Sequence, residues 1–257
     1  TREIDPNLKP ETAQELEFGA DIGVLDNRIT LSATYYNKTV DNLILDLPTA
    51  TSTGVTAIAT NAATLKNNGI ELGLNATPVQ SSNLSWNTNI LFWKNDSEIT
   101  NLDIPSFVTG GFGVSLGNYL IQEGFSPTQI VGIPATPNQE ALYTKYGNAQ
   151  PDFQMSFGNT ISFLKNFEFN FLFHWSEGNY NVNLLNFLTD GGGTSPDYNE
   201  NPERLSQLPP EAYVQEASYV KLREIGLHYT VPLDFIQRTV GSTVRGIKLG
   251  ASANNVW

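Results

Sequence analysis

The chain has 257 residues, with 14 Lys+Arg against 26 Asp+Glu and a formal net charge of -12. That balance excludes a phosphate-binding surface built from clustered cations, and the absence of cysteine excludes disulfide frameworks, thiolate catalysis and Cys-ligated zinc. Only 16% of residues are charged and the mean hydropathy is -0.23, so the polarity rests on Asn, Thr, Ser and Gly. No apolar run approaches the ~18 residues of a transmembrane helix, and the opening TREIDPNLKP is polar and reads as a loop, not a signal peptide.

Period-two alternation then recurs along the chain. LEFGADIGV puts Leu16, Phe18, Ala20, Ile22 and Val24 on one face, with Glu17, Gly19, Asp21 and Gly23 on the other. After the turn signal Asp26-Asn27, Ile29, Leu31, Ala33 and Tyr35 resume the pattern. Ile70, Leu72, Leu74 and Ala76 follow, then Leu84, Trp86, Thr88, Ile90 and Phe92. Phe153, Met155, Phe157, Ile161 and Phe163 alternate with Gln154, Ser156, Gly158, Thr160 and Ser162. The FEFNFLFHW segment carries Phe167, Phe169, Phe171, Phe173 and Trp175 at every second position. Ile225, Leu227, Tyr229 and Val231 form a further strand, and Ile247, Leu249 and Ala251 the last. This predicts about eight strands, most longer than the ~5–6 residues usual in soluble sheets.

Connections come in two kinds. Leu25–Arg28, Val79–Asn83 and Leu164–Phe167 are short and rich in turn formers, whereas 46–62, 98–151 and 181–217 are long and carry most of the Pro and Gly. The two kinds alternate until the 231–244 link, which is of middling length and compatible with a helix. A soluble sandwich has no reason to segregate loop lengths by end. A transmembrane antiparallel β-barrel does, with its apolar face on lipid and its Ser/Thr/Asn/Gly face on a watery lumen. Trp86, Trp93, Trp175, Tyr35, Tyr36 and Tyr229 are then candidates for interfacial aromatic girdles.

Several segments, in order, carry a more specific resemblance: DPNLKPETAQELEFGADIGVLDNRITLSATYYN, NAATLKNNGIELGLNATPV, NAQPDFQMSFGNTISFLKNFEFNFLFHWSEGN, ASYVKLREIGLHYTVP and SANNVW. Together they resemble the C-terminal part of the SusC/RagA-like TonB-dependent outer-membrane transporters of Bacteroidetes. Asp5 and Ala62-Ala63 depart from the family pattern. The resemblance implies an all-β fold in which residues 1–257 form a sector of about eight strands of a barrel of about 22. The plug domain, the earlier strands and the final closing strand would lie outside this chain. The implied function is import of oligosaccharides or peptides across the cell outer membrane. Implied partners are a SusD-like surface lipoprotein, the TonB system through the plug, and outer-membrane lipid; no nucleic acid and no cofactor are expected. Two alternatives stay open: an autonomous small outer-membrane barrel or surface adhesion protein without a transport role, and a soluble β-sandwich hydrolase or lectin.

Catalytic signatures such as G-x-S-x-G, H-E-x-x-H and G-x-x-x-x-G-K-[ST] do not occur, so no catalytic residue is assigned and no enzyme is expected. Ligand- or partner-facing candidates are the loop aromatics Tyr119, Phe125, Tyr143, Tyr146, Tyr180, Phe187 and Tyr198, whose rings can stack on sugars or peptide side chains or pack loop on loop. Asp190 and Asp197 bracket a Gly-rich segment that could hold calcium through oxygen ligands, with a flexible external loop as the competing account. His174 and His228 fall on the polar face as solvated side chains or, far less readily, a metal pair; Glu71, Glu168 and Glu224 share that face.

Overall fold

A computed structural model describes residues 2–109, 118–132, 143–196, 200, 212–241 and 243–257. The chain opens with β1 (Arg2–Ile4), β2 (Thr12–Val24) and β3 (Ile29–Pro48), then β4 (Ala57–Gln80) and β5 (Leu84–Leu102). Short strands β6 (Phe107–Val108), β7 (Asn118–Ile121), β8 (Gln129–Gly132) and β9 (Thr144–Asn148) precede β10 (Phe153–Phe163) and β11 (Phe167–Glu177). After β12 (Tyr180–Val182) come helix α1 (Leu184–Gly191), β13 (Val214–Glu216), β14 (Tyr219–Thr230), helix α2 (Leu233–Val240) and β15 (Lys248–Asn254).

One nine-stranded sheet dominates, in the order β15-β14-β11-β10-β5-β4-β3-β2, with β1 added in parallel to β4. All eight strands expected from alternation are present, and they pair with one another antiparallel throughout. Register carries the alternation from strand to strand. Ile22, Leu31, Leu74, Ile90, Phe157, Phe173 and Leu222 form one continuous row on the apolar face. The aromatics interlock along and across strands: Phe163–Phe167 at 5.5 Å, Phe167–Tyr229 at 4.8 Å and Phe157–Phe171 at 6.0 Å between centroids.

This apolar face is not covered. Phe18 is 63% exposed, Ile22 54% and Leu249 58%, and among the described residues no second layer packs on it. A sandwich would hide these groups; a barrel wall presents them to hydrocarbon. Above Tyr35, Ile70 and Phe92 the same face turns polar with Asn37, Asn68, Lys94 and Asp96, marking the loop-side edge of the apolar band. The sheet is also open: β2 and β15 are its two edges, exposed at every residue, and they do not pair with each other. An unpaired edge is untenable in hydrocarbon, so the sheet is a sector of a larger wall and not a closed eight-stranded barrel.

Buried apolar side chains lie outside the band. β3, β4 and β5 run for 20, 24 and 19 residues. At ~3.4 Å per residue, they extend well past the ~25 Å apolar height of such barrels. Their extensions meet the small sheet β6-β7-β8-β9, where Ala63, Ile99 and Ile121 are buried against Leu43, Leu45, Leu65, Leu102 and Phe107. The expected 46–62 loop is therefore mostly strand, and only 49–56 connect β3 to β4.

The three short turns lie at one end of the sheet. At Leu25, Asp26 and Asn27 the backbone is left-handed, with φ of 55, 55 and 64°, a conformation that Asp and Asn tolerate better than most residues. The 231–247 link joins the same end, where Thr230 N–H donates to Asn166 O at 2.8 Å and Val231 N–H to Ile247 O at 2.9 Å. Ends are thus segregated throughout; this link is long only because it contains α2, which starts after Pro232 and buries Ile236.

One register shift changes which residues face which side. Between Leu172 and Phe173 of β11, the paired residues on β14 jump from Glu224 to Leu222. Carried back from Ile225, strict alternation would put Arg223 and Lys221 on the apolar face. The bulge at Arg223 reverses this: Leu222 and Val220 join the apolar rows through Phe173 and Trp175, and Lys221 pairs with His174 on the polar side.

Candidate functional site

The polar face is built on two levels. Nearer the turns it is lined by Asn75, Asn87, Asn89, Thr160 and Asn170, around a hollow of about 420 Å³. Glycines keep this wall low. Gly23, Gly69, Gly73, Gly158, Gly226 and Gly250 all point to this face, and most make room for a side chain lying across them. A Cβ on Gly226 would strike Asn170, and one on Gly250 would strike His228. Asn170 Nδ2 donates to Glu224 Oε1 at 2.6 Å, and Lys248 Nζ donates to Glu168 Oε1 at 2.9 Å with His228 Nδ1 3.8 Å from the same oxygen.

Nearer the loops the wall becomes aromatic. Trp93 stacks on His174, with centroids 5.9 Å apart and planes at 18°, and its Nε1 donates to Gln154 Oε1 at 3.0 Å. His174 Nδ1 lies 3.2 Å from Tyr219 Oη, and Arg223 Nη2 donates to that hydroxyl at 3.3 Å. On the other side Tyr36 crosses Gly69 to donate to Asn95 Oδ1 at 2.9 Å. A hollow of about 340 Å³ opens beside Trp93, flanked by Ser32, Thr34, Glu71 and Leu91. Rings, amides and charged tips side by side on one wall are groups that can hold a polar organic solute.

Trp93 and Tyr36, expected in an interfacial girdle, belong instead to this wall, because their register partners are Glu71 and Gln154 for Trp93 and Gly69 for Tyr36. Trp86, Trp175, Tyr35 and Tyr229 do lie on the apolar face. The histidines form no metal pair: His174 and Glu168, the cross-strand partner of His228, are six residues apart on β11, roughly 20 Å along the strand.

The loop aromatics are dispersed. Tyr119 lies in β7 and Phe125 just beyond it, with the Lys145 ammonium 2.7 Å from the Phe125 ring centroid. Burial holds the Lys145 pKa below the usual lysine value. Tyr143 precedes β9 and Tyr146 lies within it; Tyr180 of β12 lies against Gly147 of β9. Phe187 of α1 packs edge-on to the fully buried Tyr213, with centroids 5.4 Å apart, so its contact is loop on loop. Tyr213 Oη donates to Asp190 Oδ2 at 3.0 Å, and the Asp190 side chain is buried. Asp197 and Tyr198 lie outside the described residues. None of the six described aromatics lines the two hollows above. The signal that sequence reading missed is Lys221-Leu222-Arg223, whose facing depends on the bulge.

Comparison with known proteins completes the picture. Residues 2–256 match the family model "TonB dependent receptor-like, beta-barrel". The TonB-dependent receptor P26 of Formosa agariphila is 26% identical over 91% of this chain and 29% of its own length. The TonB-dependent receptor SusC of Bacteroides thetaiotaomicron is 24% identical over 88% and 27%. The structure of the RagAB peptide transporter superposes with a TM-score of 0.79 at 18% identity, covering 98% of this chain and 32% of that one. The chain thus spans less than a third of the length of each of these proteins.

Proposed function

Because the chain belongs to the β-barrel family of TonB-dependent receptors, we propose that it is the C-terminal sector of an outer-membrane transporter that imports oligosaccharides or peptides. In this reading a SusD-like surface lipoprotein seats on the long-loop end, and a plug domain elsewhere in the polypeptide couples the barrel to the TonB system. The host is a Gram-negative bacterium of Bacteroidetes type, in keeping with the sources of the relatives. The function is carriage and not catalysis. The observation that carries it is the two-faced open sheet: one side an uncovered Phe-rich surface, the other a wet wall of amides, small residues and, towards the loops, aromatic rings.

Two experiments test this. The intact receptor, affinity-purified in mild detergent, should bring down a SusD-like lipoprotein, and its deletion should abolish uptake of a defined set of labelled oligosaccharides and peptides. Unchanged uptake of every one of them would remove the transport reading. Residues 1–257 expressed alone should aggregate through the open edges of β2 and β15; a folded, heat-modifiable monomer would instead favour an autonomous small barrel.

A further inference from the structure

In a chain with nearly twice as many acidic as basic residues, two cations stand together on the wet wall without a counter-charge. Lys221 and Arg223 are both on the polar side of β14, and neither is ion-paired among the described residues. The adjacent carboxylate, Glu224, is engaged by Asn170, and Glu168 farther down by Lys248. Both cations flank one ring: the Lys221 ammonium is 4.5 Å and the Arg223 guanidinium 5.5 Å from the Tyr219 centroid.

The arrangement is held in place. Arg223 Nη1 donates to Asn255 Oδ1 at 3.0 Å and Nη2 to Tyr219 Oη at 3.3 Å, while the bulged backbone is pinned by Asn255 N–H on Arg223 O at 2.8 Å. A guanidinium fixed through two of its donors keeps the others oriented for the paired oxygens of a carboxylate. Tyr219 leads directly to His174 and thence to Trp93, a stacked pair beside the cations. Bulges recur where a strand must re-aim a side chain towards a site, and this one turns two cations out of the lipid rows into the pore.

We propose that Lys221 and Arg223 form a receptor on the pore wall for a carboxylate carried by the cargo, with the Trp93–His174 pair taking the ring or apolar group next to it. This rests on the transport reading. The shared chemistry is an anion adjoining a flat, weakly polar surface, which a uronic-acid residue of an oligosaccharide and the C-terminal residue of a peptide both supply.

The test uses the intact receptor in detergent and equilibrium dialysis with two matched pairs: trigalacturonate against its methyl ester, and N-acetyl-tetraalanine against its C-terminal amide. In at least one pair the acid should bind about ten-fold more tightly than its neutral form, and added salt should narrow the gap. Lys221→Gln combined with Arg223→Gln should abolish that preference while leaving the neutral probe unchanged; Arg223→Lys should keep part of it. Lys221→Gln alone alters an exposed side chain and serves as the folded reference, checked by heat-modifiable mobility. Equal binding of acid and neutral forms in both pairs would overturn the proposal, as would an acid preference that survives the double substitution. A carboxylate of the receptor's own plug occupying the pair would appear as the first of these outcomes. Uptake of the neutral probes by cells is the independent readout: where acid and neutral forms bind equally, persisting uptake leaves transport standing while the carboxylate receptor falls.

Discussion

Trp86 and Asn159 make the sharpest energetic test of which face meets lipid. Asn159 interrupts the apolar face of β10, in register with Thr88 and Phe171. It is 4% exposed, its Oδ1 accepts from Trp86 Nε1 at 2.8 Å, and its Nδ2 has no partner. Trp86→Phe would leave the whole carboxamide unsatisfied, a cost of about 1–3 kcal/mol. Asn159→Leu would instead strand the indole N–H but remove the orphaned amide, so its net effect should be within about 1 kcal/mol of zero. The double substitution replaces both polar partners with apolar groups and should recover most of the loss. The coupling energy should be about 0.6–1.7 kcal/mol, as for hydrogen bonds inside membranes. Guanidinium unfolding of the intact barrel in micelles, followed by heat-modifiable mobility, supplies the four midpoints of the cycle. If the two single effects simply add, the bond contributes nothing, and the assignment of this face to hydrocarbon is mistaken.

Three further expectations follow, two of them from the wall. Gly69→Ala should destabilise by about 1–3 kcal/mol and break the Tyr36–Asn95 bond, since a Cβ there meets both Tyr36 and the Lys94 carbonyl. Gly158→Ala, whose Cβ would sit 3.7 Å from Leu172, should be tolerated, and equal effects at the two sites in the same unfolding assay would refute the packing argument. Leu72→Arg, in the middle of the apolar band, should cost about 2–4 kcal/mol, whereas Ser156→Arg on the wet side should cost far less; refolding yields into lipid vesicles would separate them. Outside the membrane, Asp5 accepts from the Asn7 N–H and the Thr60 hydroxyl, both at 2.8 Å, and these bonds lower its pKa from the usual 3.8. Its contribution is therefore full above that value and lost as pH falls through the lower, folded-state value. The protection factor for hydrogen exchange at the Asp5 amide, bonded to Ala59 O, should fall in acid relative to the intrinsic rate, and Asp5→Asn should remove that dependence.

The amino-acid sequence by itself determined the strands, their two faces and the segregation of turns from loops. Each of these follows from period-two alternation and local turn chemistry, which act over a few residues. Phe167 to Trp175 could hardly be anything but one edge of an aromatic wall. Other features depended on pairing between segments far apart in the chain. Tyr36 and Trp93 look like girdle residues until register aligns them with Gly69, Glu71 and Gln154. Phe187 looks like a ligand platform until Tyr213 closes on it. The facing of Lys221 and Arg223 was decided by a single extra residue in β14, because one bulge inverts the alternation of everything beyond it. No local pattern encodes that inversion: it arises when β11 and β14 hydrogen-bond, and only the paired sheet assigns those two charges to water.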